Sequence, residues 1–369
     1  MKNITYIFKS GRKIKIEEST VEAKEFYYGL QFLDSLKYSI QIIEFEDNRN
    51  ILTPLFFLLD RFMNKIINLP FYTSKLMNIS NIKKIIKTDH LVLISESTLC
   101  SALPLLFLLK KICRIEVSLF VMGLYSKNLR FNKLESVHNL FIRMMVLFVD
   151  NVFFLGEGEL RKAKELHGNK RKLQHFPFPV DAKFWGLEKE VNLSLNNQIL
   201  FVGNDGNRDQ DLLLKIAELL PDFEFTVVSK LPVLTNSSLE NVRIVNGEWG
   251  SSSVTDQELK KLYSNSRITI LPLKETSQPS GQSVALQSMA VGIPVLISYT
   301  EGFWDKQTFK NNEHIFLIKE NTPEYWANKI GETYHNLDLL NSVSRNSLKL
   351  VNQKFDLVKF NEKLLSYIK

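Results

Sequence analysis

The stretch Ser277–Pro294, with the sequence SQPSGQSVALQSMAVGIP, constrains the fold more than any other part of this chain. It predicts a loop of small residues followed by a helix, because the run Val284–Val291 is almost wholly apolar and Gly292 and Pro294 end it. A helix without a polar face has to be buried on all sides. The flanking segments, RITILPL before the loop and PVLIS after the helix, have the β-branched, apolar character of strands. We therefore predict a β-α-β unit of a parallel sheet.

The loop that leads into this helix is expected to bind an anion. Pro279, Ser280 and Gly281 end the preceding strand, and Ser280 or Ser283 can cap the helix. Unpaired N–H groups and the positive end of the helix dipole meet at such an N-terminus, where phosphate is often bound. Parallel sheets bind ligands at the carboxyl ends of their strands, which is where this loop must lie.

The segment QSMAVGIPVLIS resembles the signature of GT-B glycosyltransferases, especially the retaining glycosyltransferase family 4, group 1. That signature reads Glu-Ala-Met-Ala-x-Gly-x-Pro-Val and has a further Glu eight residues before its own Glu. Here Gln287 stands in place of the second acid and Pro279 in place of the first. The resemblance implies that Gln287 binds the donor ribose, and that Gln278, Ser280 or Gln282 replaces the first acid at the donor sugar. A buried crossover helix of another α/β protein is the alternative interpretation.

The chain of 369 residues is too long for one core and suits two domains. The resemblance implies an α/β protein of the GT-B class, with two Rossmann-like, doubly wound parallel-sheet domains facing a cleft. Phe178-Pro179-Val180-Asp181 with Phe184 resembles the family segment that closes the first domain. We expect an acceptor-binding domain over 1–186, a linker over 187–197, a nucleotide-sugar-binding domain over 198–352, and a helix over 353–369 that returns to the first domain.

The second domain opens with a strand, QILFVG, that runs into the polar turn from Asn204 to Arg208. Relatives carry an Arg after this Gly and a Lys a few residues on, so Asn204 replaces one cation and Arg208 lies near the other. Lys230 or Lys274 is expected to supply the missing charge. The predicted catalytic residues are Arg208, Lys274 and Gln282. The predicted donor-binding residues are Gly203, Asn204, Arg208, Lys230, Ser280, Gly281, Gln282, Ser283 and Gln287.

The first domain offers fewer candidate residues. The strand DHLVLIS ends in the polar stretch Glu96–Ser101, and the strand IEVSLFV is followed by Met122 and Gly123. Because ligands meet the carboxyl ends of parallel strands, Glu96 and Gly123 are assigned to the acceptor side. Relatives often have a His where Met122-Gly123 stands, so no general base is visible there. A helix predicted over Val21–Lys37 places Glu25 in its first turn, where the dipole favours an acid; a position facing the cleft is the alternative.

Charge is unevenly distributed along the chain. Residues Met1–Glu190 contain 29 Lys and Arg against 20 Asp and Glu, and the remainder contains 18 against 20. A solvated surface explains the excess, and an anionic membrane or a phosphate-bearing acceptor is the alternative, with the apolar, basic segment Ile51–Lys87 as its contact. No zinc-finger, RNP or basic-zipper pattern indicates nucleic acid. Cys100 and Cys113 lie in apolar surroundings and are predicted to be buried thiols of a cytoplasmic protein, without a disulfide or a zinc site.

These patterns favour a glycosyltransferase that moves a sugar from a nucleotide-sugar to a hydroxyl of a glycan or lipid-linked acceptor, in polysaccharide or glycolipid synthesis. A sugar-nucleotide epimerase of the same fold and a non-catalytic nucleotide-sugar-binding protein are the alternatives. An NAD-dependent enzyme is disfavoured, since no Gly-x-Gly-x-x-Gly follows a predicted strand. We expect no cofactor and no metal. A cytoplasmic location is expected, with a peripheral position on the inner face of the plasma membrane as an option.

Overall fold

A computed structural model describes residues 2–17, 22–47, 53–112, 114–126, 135–230, 239–247 and 254–368. The chain divides into two compact units, each of discontinuous sequence. Unit 1 contains Met1–Thr20, Tyr27–Phe176 and Asn361–Lys369; unit 2 contains Val21–Phe26 and Pro177–Phe360. The predicted domain boundaries at 186, 198 and 352 stay predictions.

Unit 1 is built on a six-stranded sheet in the order β2-β1-β3-β4-β5-β6, in which every neighbouring pair is parallel. Its strands are β1 Asn3–Phe8, β2 Ser39–Glu44, β3 His90–Ile94, β4 Glu116–Val121, β5 Asn151–Phe154 and β6 Leu173–His175. Its helices are α1 Arg12–Glu17, α2 Leu30–Ser35, α3 Thr53–Ile67, α4 Thr73–Leu76, α5 Ile79–Ile86, α6 Glu96–Ile112, α7 Glu135–Leu147 and α8 Glu157–His167. The central strand β3 is buried along its whole length, as its unbroken apolar run requires in a sheet covered on both faces.

Unit 2 has a second six-stranded parallel sheet in the order β12-β11-β10-β7-β8-β9. Its strands are β7 Gln198–Val202, β8 Glu224–Val228, β9 Val242–Val245, β10 Ser266–Leu271, β11 Val295–Ser298 and β12 Phe316–Ile318. Its helices are α9 Ala182–Trp185, α10 Gln210–Leu219, α11 Asp256–Ser264, α12 Gln282–Val291, α13 Pro323–Tyr334 and α14 Leu337–Leu350, followed by a π-turn over Val351–Phe355. Strand order reverses between β7 and β10, so the loops after these two strands flank the position where doubly wound sheets bind ligands.

The helix α12 is the predicted crossover between β10 and β11, and every one of its residues except Ser283 is buried. It begins at Gln282, two residues before the predicted apolar run. Its N-cap is Gly281, which has a left-handed φ of 79° and provides no side-chain hydrogen bond. The predicted capping by Ser280 or Ser283 is therefore wrong, since the turn requires a positive φ that glycine adopts without strain.

Two other predictions of local structure need correction. The helix expected over Val21–Lys37 is a 3-10 turn, Glu25–Tyr27, followed by the short α2. Gly29, with a φ of 79°, precedes α2 and interrupts the run. The stretch Glu96–Ser101 is the first part of α6 and not a loop, so Glu96 belongs to a helix N-terminus that directly follows β3.

The last helix, α15 Leu357–Ile368, crosses the division of the chain, because Asn361–Lys369 belongs to unit 1. Across the described residues, no helix has the length and apolar character needed to span a bilayer. Cys100 is a buried thiol, as predicted, and its Sγ lies 3.7 Å from Met145 Sδ. Cys113 lies outside the described residues.

Candidate functional site

The loops that follow β7 and β10 are joined by side-chain and backbone hydrogen bonds. Asn207 Nδ2 donates to Ser280 Oγ at 2.7 Å and to Gln278 Oε1 at 3.2 Å. The backbone N–H of Lys274 donates to the carbonyl of Asn207 at 2.9 Å. The structure thus brings the turn after Gly203 and the predicted anion loop together at the reversal of strand order. Sequence reasoning missed Asn207, because a polar residue inside a turn gives no local sign of its partner.

Asn204, at the position where the resemblance implies a cation, forms hydrogen bonds that connect the ends of β7, β8 and β9. Its Oδ1 accepts from the backbone N–H of Lys230 at 2.7 Å, and its Nδ2 donates to the carbonyl of Gly247. Ser229 Oγ donates to Asn204 Oδ1 at 3.2 Å and to the carbonyl of Gly203 at 2.9 Å. The Asn204 amide therefore has a structural role. The ammonium of Lys230 itself is carried by an exposed side chain at the end of β8.

Arg208, predicted as a catalytic and donor-binding cation, is buried, and its contact with the diphosphate stays a prediction. Its side chain is only 3% exposed, and its Nη1 lies 3.0 Å from Asp205 Oδ2. Nε donates to the carbonyl of Val202 at 3.3 Å. The guanidinium packs against Gly203 so closely that a Cβ there would lie 2.1 Å from Nε. Arg208 therefore holds the turn in shape from a buried position, and Lys274 is an exposed basic side chain at this edge.

The N-terminus of α12 lies at the same edge. Gly281 and Gln282 are buried and Ser283 is half-buried. No acidic side chain lies in the first turn, and no side chain caps it. The preceding loop is held closely against Gly302, where a Cβ would lie 2.2 Å from the carbonyl oxygen of Gln278. The close packing of this loop holds the N-terminus of the ten-residue helix in place. Its first-turn N–H groups and the positive end of its dipole are the features that bind anions at helix N-termini.

Gln287 lies on the buried side of α12, and both ends of its amide are used within unit 2. Nε2 donates to Glu25 Oε1 at 3.0 Å, and Oε1 accepts from the hydroxyl of Tyr263 at 3.3 Å. Trp185 Nε1 donates to the same Glu25 oxygen at 2.8 Å, and the backbone N–H of Asp181 lies 3.3 Å from Glu25 Oε2. The contacts thus favour a structural role for Gln287, while its ribose contact stays a prediction.

Glu25 is fully buried in this network. It is a first-turn acid, as predicted, but of the 3-10 turn Glu25–Tyr27 and not of a helix over Val21–Lys37. Burial raises its pKa to about 7, against the lowering effect of the hydrogen bonds from Gln287 and Trp185, and the charge of Asp181 raises it further. A neutral amide opposite Glu25 avoids a second buried charge. Sequence reasoning could not find this pair, since the two residues are separated by 262 positions.

The two residues assigned to the acceptor side lie at neighbouring strand ends of unit 1. Glu96 follows β3 and is buried, and Gly123 follows β4 with a φ of 128°. Between β3 and Glu96, Ser95 has a φ of 96°, which is strained for a residue with a side chain. Sequence reasoning missed a third residue here, Glu159 in the first turn of α8, whose Oε1 accepts from the backbone N–H of Tyr125 at 3.0 Å.

Glu96 and Glu159 each keep one buried carboxyl oxygen, Oε2, without a hydrogen-bond partner. Burial raises the pKa of Glu159 to about 8; the bonds from the backbone of Tyr125 and Gly123 lower it, and the charge of Glu96 raises it. Such a carboxyl holds a proton at neutral pH and can donate a hydrogen bond as well as accept one. Among the residues that the structure describes, no three His, Cys, Asp or Glu are grouped so as to hold a metal ion.

Comparison with known proteins identifies the second half of the chain. Residues 196–336 match the family described as Glycosyl transferases group 1. The glycosyltransferase class predicted from the sequence is thus confirmed for this segment. A comparison with curated proteins finds no match.

Similar solved structures confirm the GT-B fold of this chain. HepE of Anabaena, in complex with UDP and glucose, has a TM-score of 0.68 at 12% identity over 100% of this chain and 99% of its own. A glycosyltransferase of Rickettsia africae has a TM-score of 0.69 at 15% identity over 99% and 97%. Sucrose-phosphate synthase of Thermosynechococcus elongatus has a TM-score of 0.68 at 12% identity over 100% and 98%.

The Gln287–Glu25 pair predicts the effect of restoring a family-like acid. Gln287→Glu places a second carboxyl against Glu25, so we expect the ligand-free melting temperature at pH 8 to fall by several degrees. At pH 5 the loss is smaller, because the pair can share a proton. The double variant Glu25→Gln/Gln287→Glu restores one amide and one carboxyl and should recover most of the loss. Equal melting of Gln287→Glu and the parent at pH 8 would contradict this account.

The raised pKa of Glu159 predicts a pH dependence of stability. Since the folded protein holds a proton that the unfolded chain releases between the ordinary pKa of 4.5 and about 8, stability decreases as pH rises through that range. Glu159→Gln removes this slope, so the variant should gain free energy of unfolding relative to the parent from pH 5 to 8. Urea unfolding across that range measures it, with Glu165→Gln, an exposed acid of the same helix, as the control. Parallel curves for Glu159→Gln and the parent would overturn the assignment.

Proposed function

We propose that this chain transfers a sugar from a UDP-sugar to a hydroxyl of a glycan or lipid-linked acceptor, in the synthesis of a polysaccharide or glycolipid. The observation that carries the proposal is the joined edge of unit 2, where the turn 203–208 is bonded to the loop before α12. The relatives of known structure support uridine as the base, because HepE is described in complexes with UDP and with UDP-glucose.

The diphosphate of the donor belongs at the N-terminus of α12, in contact with the backbone N–H groups of Gly281, Gln282 and Ser283. Lys274, exposed at the same edge, adds a positive charge. This charge stabilises the negative charge that develops on the diphosphate as it leaves. Arg208 contributes indirectly, by holding the turn in shape from its buried position. These groups supply the positive potential that a divalent cation provides elsewhere, so the proposal assigns no role to a metal.

In the reaction the acceptor hydroxyl forms a bond to the anomeric carbon while the bond from that carbon to the β-phosphate oxygen breaks. UDP leaves with the bonding electrons, and the hydroxyl proton is released. Retention of the anomeric configuration is what the resemblance to family 4 implies. Glu96 and Gly123 are proposed for the acceptor side together with Glu159, whose buried carboxyl is suited to hold a hydroxyl group through its unpaired oxygen.

Turnover separates this proposal from its alternatives. UDP-glucose and other UDP-sugars are incubated with the full chain, with and without a panel of sugar and lipid-linked acceptors. A transferase forms UDP and product only with an acceptor, and an epimerase converts or hydrolyses the donor without one. A binding protein does neither. Acceptor-dependent UDP release is the expected result, and donor conversion that no acceptor accelerates would contradict the proposal.

Lys274→Ala tests the electrostatic part of the proposal. Loss of one charge-assisted contact should weaken UDP binding about tenfold to a hundredfold and leave uridine binding nearly unchanged. The control is Lys215→Ala, an exposed lysine of α10. Isothermal titration with both ligands measures the effect. Equal UDP affinity of Lys274→Ala and the parent would remove Lys274 from the diphosphate site.

A further inference from the structure

The helices α3, α6 and α7 of unit 1 expose an unusual amount of apolar surface. Of the twenty large apolar side chains exposed in the described part of the chain, twelve lie on these three helices: five on α3, three on α6 and four on α7. Helix α3 buries only Asp60 and Ile67 of its 15 residues. Contiguous exposed apolar surface of this kind marks an interaction site in a folded protein.

The exposed face is fixed firmly in place. Asp60 accepts hydrogen bonds from the backbone N–H groups of Thr73 and Ser74, both at 2.9 Å, and from Ser74 Oγ at 2.8 Å. This buried carboxylate attaches α3 to the start of α4. Asn64 adds a second attachment, since its Oδ1 accepts from the N–H of Phe71 at 2.6 Å. Phe56, Met63 and Ile66 pack against the core on the same side of α3. The other large apolar side chains of the helix, apart from the buried Ile67, therefore remain at the surface.

A groove of about 240 Å³ opens between the same three helices. Eleven residues line it, and Thr73 is the only polar one. Phe107 and Phe148 form one wall, with ring centroids 6.0 Å apart, and Phe71 and Phe141 form another at 5.7 Å. An apolar cavity of about 150 Å³ already accepts a benzene-sized ligand, so this groove has room for part of a hydrocarbon chain.

The charges on these three helices are mainly basic. The three helices carry five basic residues, namely Arg61, Lys65, Lys110, Lys111 and Arg143. Two of their three acids, Asp60 and Glu96, are buried, which leaves Glu135 as the exposed one. The ammonium of Lys111 lies 4.3 Å from the ring centroid of Phe107, so cation and groove wall are adjacent. An apolar face with a basic rim is complementary to anionic headgroups above hydrocarbon.

We propose that α3, α6 and α7 bind the surface of an anionic bilayer, with one acyl chain entering the groove between them. The proposal deepens the proposed function and rests on it in one respect, since a transferase seated on a bilayer meets a lipid-linked acceptor there. It refines the membrane contact expected over Ile51–Lys87, because two of the three helices lie outside that segment. A second copy of the chain is the other occupant of such a face, and the experiment decides between them.

The test is co-sedimentation of the full chain with vesicles. The parent should bind vesicles that contain phosphatidylglycerol and not vesicles of phosphatidylcholine alone, and binding should weaken as salt is raised. Leu58→Gln/Phe62→Gln changes two side chains that are 64% and 61% exposed, so the fold should be retained and binding should fall at least about tenfold. The control Leu195→Gln/Leu219→Gln replaces two exposed apolar residues of unit 2 with Gln and should bind like the parent.

Entry of an acyl chain into the groove is tested with Phe107→Trp, since all four native tryptophans lie beyond residue 184. Chain-brominated phosphatidylglycerol should quench the new fluorescence. Equal binding by Leu58→Gln/Phe62→Gln and its control would overturn the proposal, and so would a dimer in sedimentation velocity that this variant dissociates. UDP titration of the same proteins separates the two claims: vesicle binding without UDP binding rejects the proposed function, and UDP binding without vesicle binding rejects this inference.

Discussion

The burial of helix α12 determines which contacts its side chains make in unit 2. A helix enclosed on all sides has no solvent to satisfy its polar side chains, so each must find a partner inside the protein. Ser288 does so through Thr269 Oγ1 at 2.8 Å, and Gln287 does so through Glu25 and Tyr263. The N-terminus of the helix, which no side chain caps, lies at the edge of the sheet. Because the rest of the helix is buried, its N-terminus is the part that can contact a ligand.

This constraint also gives meaning to the departures from the family signature. An acid at position 287 would lie against the buried carboxyl of Glu25, whose pKa is already raised to about 7 by burial. An amide can bond to that carboxyl without adding a charge. At position 204, where the sequence resemblance implies a cation, the Asn204 amide bonds to the ends of β8 and β9. At positions 204 and 287 the resemblance implies a charged side chain. The amide at each position is neutral and is hydrogen-bonded within unit 2.

Much of this architecture follows from local sequence. The strands are apolar runs bounded by turn residues, and α12 is recognisable because Val284–Val291 has no polar face. What could not be predicted depends on distant contacts. Arg208 can be buried because Gly203 has no side chain. The pairing of Glu25 with Gln287 joins two residues that are 262 positions apart in the sequence. The start of α6 at Glu96 was missed because a polar N-terminal turn is indistinguishable from a loop without knowledge of its burial.

The central claim is that the N-terminus of α12 and the turn after β7 together hold the diphosphate of a nucleotide-sugar. Hydrogen–deuterium exchange with and without saturating UDP tests it most directly, since bound phosphate protects the amides that it contacts. The account predicts slower exchange in peptides that cover 203–208 and 281–284, with little change in unit 1. Binding of UDP that leaves exchange at both segments unaltered would contradict it.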